Sequence, residues 1–183
     1  MVTLDQIGEW IEEGRRLLAT TRLTPPGHSA LLVVEAPDAD AEARLAALFR
    51  DLWMPESEII KAELSPQGLA TFLRQPAPAR PERREIVLVF GAAELPAEAR
   101  AWAFRQLNYQ RERLRERGAL FVFWLQPELI PELMEHAGDL YSRLSGFFRF
   151  PLPADPLERE RALRTMAVAL RAPRKSPADL PAA

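Results

Sequence analysis

Continuous apolar runs alternate along this chain with segments whose apolar residues recur every three or four positions. The runs predict strands that are covered on both faces, and the periodic segments predict amphipathic helices. The predicted strands are residues 29–35, 57–64, 85–90, 119–125 and 147–150, and the second is the least apolar. The predicted helices are a first one capped by Thr3 and then residues 41–52, 66–73, 96–117, 128–144 and 156–171. This alternation predicts an α/β fold, a three-layer α/β/α sandwich around about five mostly parallel strands.

The same pattern divides the chain into a central unit and two additions. We predict an N-terminal helix in residues 1–24, an α/β core in residues 25–153 and a C-terminal helix in residues 154–172. Residues 75–83 are rich in proline and polar side chains, which predicts an irregular connection within the core. Residues 173–183 are rich in proline and alanine and are predicted to be disordered.

The turn after the first predicted strand lacks the residues that its surroundings require. In an open α/β nucleotide-binding domain this turn holds phosphate, with glycines that let backbone N–H groups approach the oxygens and a lysine that offsets their charge. Here residues 36–40 read Ala-Pro-Asp-Ala-Asp, with no glycine and no lysine. Pro37 removes a donor, and Asp38 and Asp40 repel phosphate. The sequence therefore predicts a nucleotide-hydrolase-like body without the usual phosphate site.

Two interpretations of these carboxylates stay open at this point. Asp38 and Asp40 are hard oxygen ligands and are candidates for a magnesium site. Alternatively, Asp40 caps the following helix and Asp38 tightens the turn. We favour the second interpretation and predict no metal, because two carboxylates without a phosphate or a third ligand bind magnesium weakly.

Composition excludes several kinds of site. The chain has 183 residues, a net charge of −2 and no cysteine, so disulfides, thiolate chemistry and cysteine zinc sites are excluded. The charge gives no support for nucleic acid as a partner. The chain has no apolar run of about 20 residues and does not begin like a signal peptide, so we predict a cytoplasmic protein with no membrane partner.

Charged side chains in the second half suggest chemistry but have simpler explanations. The run from Arg111 to Arg117 is interrupted by Glu112 and Glu116, which favours a solvated helix face over a nucleic-acid stripe. Asp139 and Arg143 lie four positions apart and are predicted to form an ion pair. We interpret His136 as a surface or helix-facing histidine, because no nucleophile motif accompanies it.

Three segments carry a family resemblance. They are LNYQRERL at residues 107–114, ALFVFWLQPEL at 119–129 and HAGDLYSRLSGFFRF at 136–150. They resemble the core of bacterial STAND-type P-loop ATPases, signalling relatives of the AAA proteins, and especially divergent versions found beside tetratricopeptide repeats. The resemblance covers about residues 29–150 and implies a P-loop NTPase-like fold with strand order 5-1-4-3-2.

The resemblance also implies where nucleotide residues would lie. Typical members carry a Walker A motif at the first turn and acidic Walker B residues at the tip of the third strand. In this chain the first turn is the acidic one above, and Glu94 lies beyond the third strand rather than at its tip. Arg143 matches an arginine near the nucleotide crevice or a subunit boundary, and Asn108 and Arg111 are further crevice candidates. The alternative for Asn108 is that its amide satisfies a neighbouring backbone group.

These observations predict a degenerate, non-catalytic domain that acts through protein–protein contact, and the resemblance suggests bacterial signalling or defence. We expect no cofactor, and we expect a protein partner or a homo-oligomer rather than nucleotide or nucleic acid. Trp10 is predicted by default to be a core residue, and an exposed apolar patch on its N-terminal helix, if that helix is loosely packed, would mark a partner surface. The alternatives are an ATPase with an atypical phosphate site and a nucleic-acid-binding module that uses its arginines.

Overall fold

The computed structural model describes residues 2–65, 68–74 and 83–172. The strands are β1 (Ala30–Glu35), β2 (Ser57–Glu63), β3 (Arg84–Phe90), β4 (Leu120–Leu125) and β5 (Gly146–Arg149). The helices are α1 (Leu4–Leu23), α2 (Ala39–Trp53), α3 (Gly68–Arg74), α4 (Ala97–Tyr109), α5 (Arg111–Glu116), α6 (Leu129–His136), α7 (Gly138–Tyr141) and α8 (Pro156–Arg171). Residues 75–82 of the predicted connection and the predicted tail at 173–183 lie outside the described residues.

The strands form one sheet of five strands in the order β2-β3-β4-β1-β5, and every pair is parallel. The central strands β1 and β4 are buried at every position, as their continuous apolar sequences predicted. Leu32 of β1 pairs with Val122 of β4 on one side and with Gly146 of β5 on the other. The predicted strand order and parallel sheet are therefore confirmed.

Helices cover both faces of the sheet, which confirms the α/β class and is compatible with three layers. Side chains along a strand alternate between faces, so Leu32 and Val34 pack with α1, α2 and α8, whereas Val33 packs with α3, α4 and α6. Trp10 of α1 is only 4% exposed and belongs to the first of these clusters. Trp10 is therefore a core residue, as predicted, and the loose packing considered for its helix is not found at this position.

Two of the predicted helices are interrupted. Residues 96–117 form α4 and α5, with Gln110 between them at φ −95° and ψ 6°. Residues 128–144 form α6 and α7, because the backbone of Ala137 leaves the helical region at φ −134° and ψ 42°. After this break the N–H of Leu140 donates to Oδ1 of Asn108 at 2.9 Å instead of to a carbonyl of its own helix.

All strands run in the same direction. Their carboxyl ends therefore lie together at one edge of the sheet, the carboxyl edge, and their amino ends lie together at the opposite edge, the amino edge. β1 is followed by α2 on one face and its neighbour β4 by α6 on the other, which opens a crevice between their carboxyl ends. The amino edge is tightly closed at Gly118, which has φ +69°. A Cβ there would lie 2.7 Å from the carbonyl oxygen of Gly27, so glycine is required.

No helix in the described ranges combines the length and the apolar character needed to cross a membrane.

Candidate functional site

The turn between β1 and α2 is closed by its own side chain. Asp38 is the N-cap of α2, and its Oδ1 accepts a hydrogen bond from the N–H of Ala41 at 2.9 Å. The prediction that Asp40 caps this helix is therefore wrong. The extended backbone of Asp38, with φ −160° and ψ 172°, lets its side chain reach the helix N-terminus. Asp40 lies inside the first turn.

Arg159 from α8 binds both carboxylates of this turn. Its Nη2 lies 2.6 Å from Oδ2 of Asp38, and its Nη1 lies 2.9 Å from Oδ1 of Asp38 and 2.7 Å from Oδ2 of Asp40. Its Nε donates to the carbonyl of Pro153 at 2.9 Å. The Arg159 side chain is 4% exposed, whereas those of Asp38 and Asp40 are 45% and 53% exposed. The place where a phosphate-binding turn holds its ligand thus contains an ion-pair cluster within the chain.

The electrostatics of the turn follow from these contacts. Burial raises the pKa of Asp38, but the hydrogen bonds from Ala41 and Arg159 outweigh it and leave that pKa below its usual value. Hydrogen bonds from Arg44 and then from Arg159 lower the pKa of Asp40. Arg44 also pairs with Glu160 of α8 at 2.7 Å. The turn is therefore ionised at neutral pH and tied to the C-terminal helix.

Glu42, one helical turn beyond Asp38, is in the opposite situation. It is 7% exposed, and no cation or hydrogen-bond donor of the described chain pairs with its carboxylate. Burial, followed by the charges of Glu94, Asp38 and Glu128, raises its pKa to about 7. A buried carboxyl group without a counter-charge is costly to ionise.

The acidic neighbours of Glu42 line the carboxyl edge. Oε2 of Glu94 lies 3.6 Å from the position that a Cβ on Gly91 would take, just beyond β3. Glu94 therefore lies at the carboxyl edge, where its charge repels that of Glu42. In the amide orientation that satisfies both neighbours, Gln126 accepts from the N–H of Ala39 at 3.3 Å and donates to Glu128 at 2.9 Å.

The arrangement of the carboxylates at this edge bears on the magnesium interpretation. In the described ranges, no three histidine, cysteine, aspartate or glutamate side chains are arranged to hold a metal ion. Asp38 and Asp40, the two candidate magnesium ligands, both accept hydrogen bonds from Arg159. The geometry therefore gives no support to the magnesium interpretation.

The remaining candidates lie away from the crevice. Asn108 caps the N–H of Leu140, as the simpler interpretation predicted, and Nη1 of Arg111 donates to the carbonyl of Asn108 at 2.8 Å. Nη1 of Arg143 pairs with Oε1 of Glu112 at 2.8 Å. The prediction that Arg143 pairs with Asp139 is therefore wrong. That prediction assumed that both residues lie on one helix, but α7 ends at Tyr141, before Arg143.

Topology explains this separation. Arg111 lies between α4 and β4, and Arg143 lies before β5, so both lie towards the amino edge of the sheet. The turn with Asp38 and Asp40 and the loop with Glu94 lie at the carboxyl edge. The six candidate residues thus form two groups rather than one site.

Two residues of the carboxyl edge are missing from the predicted set. Arg159 is one of many arginines, and nothing in its local sequence distinguishes it. Glu42 resembles an ordinary acid in the first turn of a helix. Its position on the buried side of α2, between Ala41 and Leu45, is the one signal that could have identified it.

Comparison with known proteins identifies no relative: no family model, no curated protein and no solved structure matches this chain.

Proposed function

We propose that this protein is a non-catalytic, degenerate NTPase-like domain that acts as an assembly module through protein–protein contact. The observation that carries the proposal is the cluster of Asp38, Asp40 and Arg159. A phosphate at the N-terminus of α2 would have to displace the Asp38 carboxylate from the N–H of Ala41 and from Arg159. It would also face the negative charges of Glu42, Glu94 and Glu128.

Exposed aromatic side chains support a role in contact. Trp102 is 39% exposed and Tyr109 is 75% exposed. They lie seven positions apart on α4, which places them on one face of the helix. Tyrosine and tryptophan are enriched at protein interfaces because they combine a large apolar area with a polar group. The resemblance over residues 107–150 supports a signalling context for such contacts.

Calorimetric titration with ATP and magnesium tests the non-catalytic part of the proposal. We expect no binding and no phosphate release with the wild-type chain, because the turn already holds an anion of its own. The Asp38→Gly variant removes that anion and Glu98→Gln, an exposed change on α4, is the matched control. Binding that appears only in Asp38→Gly would support exclusion by the carboxylate. Micromolar binding or turnover by the wild-type protein would overturn the proposal.

A further inference from the structure

The two edges of the sheet carry opposite charge. Parallel strands place all their carboxyl ends together, and acids follow or end four of them. These acids are Glu35, Asp38, Asp40, Glu42, Glu63, Glu94 and Glu128. Arginines gather at the amino edge, in the segments that lead into the strands and at the carboxyl ends of α1 and α8: Arg22, Arg83, Arg84, Arg113, Arg115, Arg117, Arg143 and Arg171.

Ion pairs within the chain neutralise only part of the charge at each edge. On the carboxyl edge, Glu35 pairs with Arg149, and Asp38 and Asp40 pair with Arg159. Within the described ranges, no cation pairs with the remaining four acids, which are Glu42, Glu63, Glu94 and Glu128. The crevice side of this edge therefore carries an excess of negative charge.

The amino edge keeps the opposite excess. Its acids Glu85 and Glu112 are already paired with Arg117 and Arg143. In the part of the chain that the structure describes, Arg22, Arg113 and Arg171 have no carboxylate partner, and all three are exposed. Leu23, 81% exposed, lies beside Arg22 at the end of α1. Glu56, Glu58 and Glu116 also lie at this edge, as does Asp51, which pairs with Arg50, and these acids are fewer than its arginines.

We infer that copies of this protein associate head to tail, with the acidic carboxyl edge of one copy against the basic amino edge of the next. The inference rests on the proposed assembly function and names the partner as a second copy. Complementary fields steer association and set orientation. Guanidinium groups from the neighbouring copy would also supply the counter-charges that the exposed Glu94 and Glu128 lack within the described part of their own chain.

This geometry has a consequence for the kind of assembly. The two contacting surfaces are different, so each copy keeps one free edge after binding. A contact of this type continues into a ring or a filament instead of stopping at a dimer. Association should therefore grow with protein concentration at low salt and weaken as salt screens the exposed charges.

Sedimentation velocity on the full chain tests the inference at about 50 mM and about 500 mM NaCl. The carboxyl-edge variant combines Glu94→Gln with Glu128→Gln, and the amino-edge variant combines Arg22→Gln with Arg113→Gln; these positions are exposed, so both variants should fold. We expect each to weaken self-association at least about tenfold. Glu12→Gln with Arg15→Gln removes an exposed pair on α1 and should leave association unchanged.

Mixing the two variants gives the sharpest result. Each variant keeps one intact edge, and these two edges are complementary, so an equimolar mixture should form a one-to-one heterodimer that does not grow further. Association of the wild type that is insensitive to both variants would overturn the head-to-tail inference while leaving the assembly function intact. A wild type that stays monomeric at low salt would also overturn it.

A single-stranded DNA oligonucleotide provides a competing outcome. If it binds the wild type but not the amino-edge variant, and the wild type remains monomeric, then the arginines serve nucleic acid and the inference is wrong. ATP binding, in contrast, would contradict the non-catalytic function and leave the test of association unaffected.

Discussion

Asp38 and Glu42 lie four residues apart at the start of one helix, yet the surroundings of their carboxylates differ. Asp38 accepts a hydrogen bond from a backbone N–H and pairs with a buried arginine, so its pKa is lowered. Glu42 is more deeply buried, has acids for neighbours and has a pKa raised to about 7. The difference is the counter-charge that α8 supplies to one of them and not to the other.

The two carboxylates have opposite effects on the stability of the folded monomer. The Asp38 cluster joins α2 to α8 and holds the turn in one conformation, so it stabilises the monomer. Ionised Glu42 does the reverse, because an unpaired buried charge opposes folding. The exposed Glu94 and Glu128 beside it have no cation partner in the described ranges, so they leave the negative charge at the surface that an electrostatic contact requires.

The largest expected effect is the pH dependence that Glu42 imposes. Its carboxyl group binds a proton more tightly in the folded state, with a pKa of about 7, than in the unfolded state, where the ordinary value is 4.5. Stability should therefore fall as pH rises from about 4.5 to about 7, by up to about 3 kcal/mol from this group. The free energy of unfolding of Glu42→Gln, measured in urea, should lack this component. The stability of the variant relative to the wild type should therefore increase as pH rises.

Glu98→Gln on an exposed position of α4 is the control for this change and should follow the wild-type pH profile. The carboxyl carbon of Glu42, followed by NMR across the same range, reports the protonation directly. A titration midpoint near 4.5, or parallel stability profiles for Glu42→Gln and the wild type, would show that Glu42 is not in an uncompensated environment.

Arg159→Leu tests the other half of the comparison. The substitution removes the cation from both Asp38 and Asp40, and we expect a loss of about 2 kcal/mol in the free energy of unfolding. The value lies below that of a fully buried pair because both carboxylates are about half exposed. Arg159→Lys should recover only part of it, since an ammonium group cannot bind both carboxylates as a fork.

Arg164→Leu is the matched control, because Arg164 lies on the same helix and, within the described ranges, pairs with Glu160 alone, at the surface. It should change stability by less than about 0.5 kcal/mol. Equal losses for the two leucine variants in urea unfolding would mean that the cluster at the turn is no more than an ordinary surface ion pair.

Asp38→Ala and Asp40→Ala distinguish the cap from the residue inside the helix. Asp38→Ala removes the acceptor for the N–H of Ala41 and should cost about 1.5 kcal/mol, whereas Asp40→Ala should cost about 0.5 kcal/mol. Asp38→Asn keeps the capping oxygen and loses the charge, so its loss of stability should lie between the losses for the two alanine variants. Thermal unfolding above and below pH 4 checks the charged component, which is present above the ordinary pKa of 3.8 and is lost as pH falls through the lowered value. A larger loss for Asp40→Ala would restore the original assignment of the cap.

Local sequence pattern was sufficient for the strands and their parallel arrangement, whereas the strand order came from the family resemblance and neither indicated the cluster. The strands are marked by apolar runs such as LFVFWL in β4, and parallel connection rules limit their arrangement. Arg159 and Asp38, in contrast, lie 121 positions apart and meet only because α8 packs on α1 and α2. No periodicity encodes such a pair. The break at Ala137 was missed for a similar reason, since the compensating acceptor on Asn108 comes from another helix.

The smallest expected effect concerns Arg143, which the family resemblance suggested for the nucleotide crevice. Its pair with Glu112 is about half exposed on both sides, so Arg143→Ala should change the free energy of unfolding by only a few tenths of a kcal/mol. Because Arg143 precedes the amino end of β5, its loss should leave the Arg159 cluster and the titration of Glu42 unchanged. Urea unfolding and the NMR titration of Glu42 in this variant measure both. A shifted Glu42 midpoint would show that the two edges communicate, and the two groups of candidate residues would then have to be treated as one site.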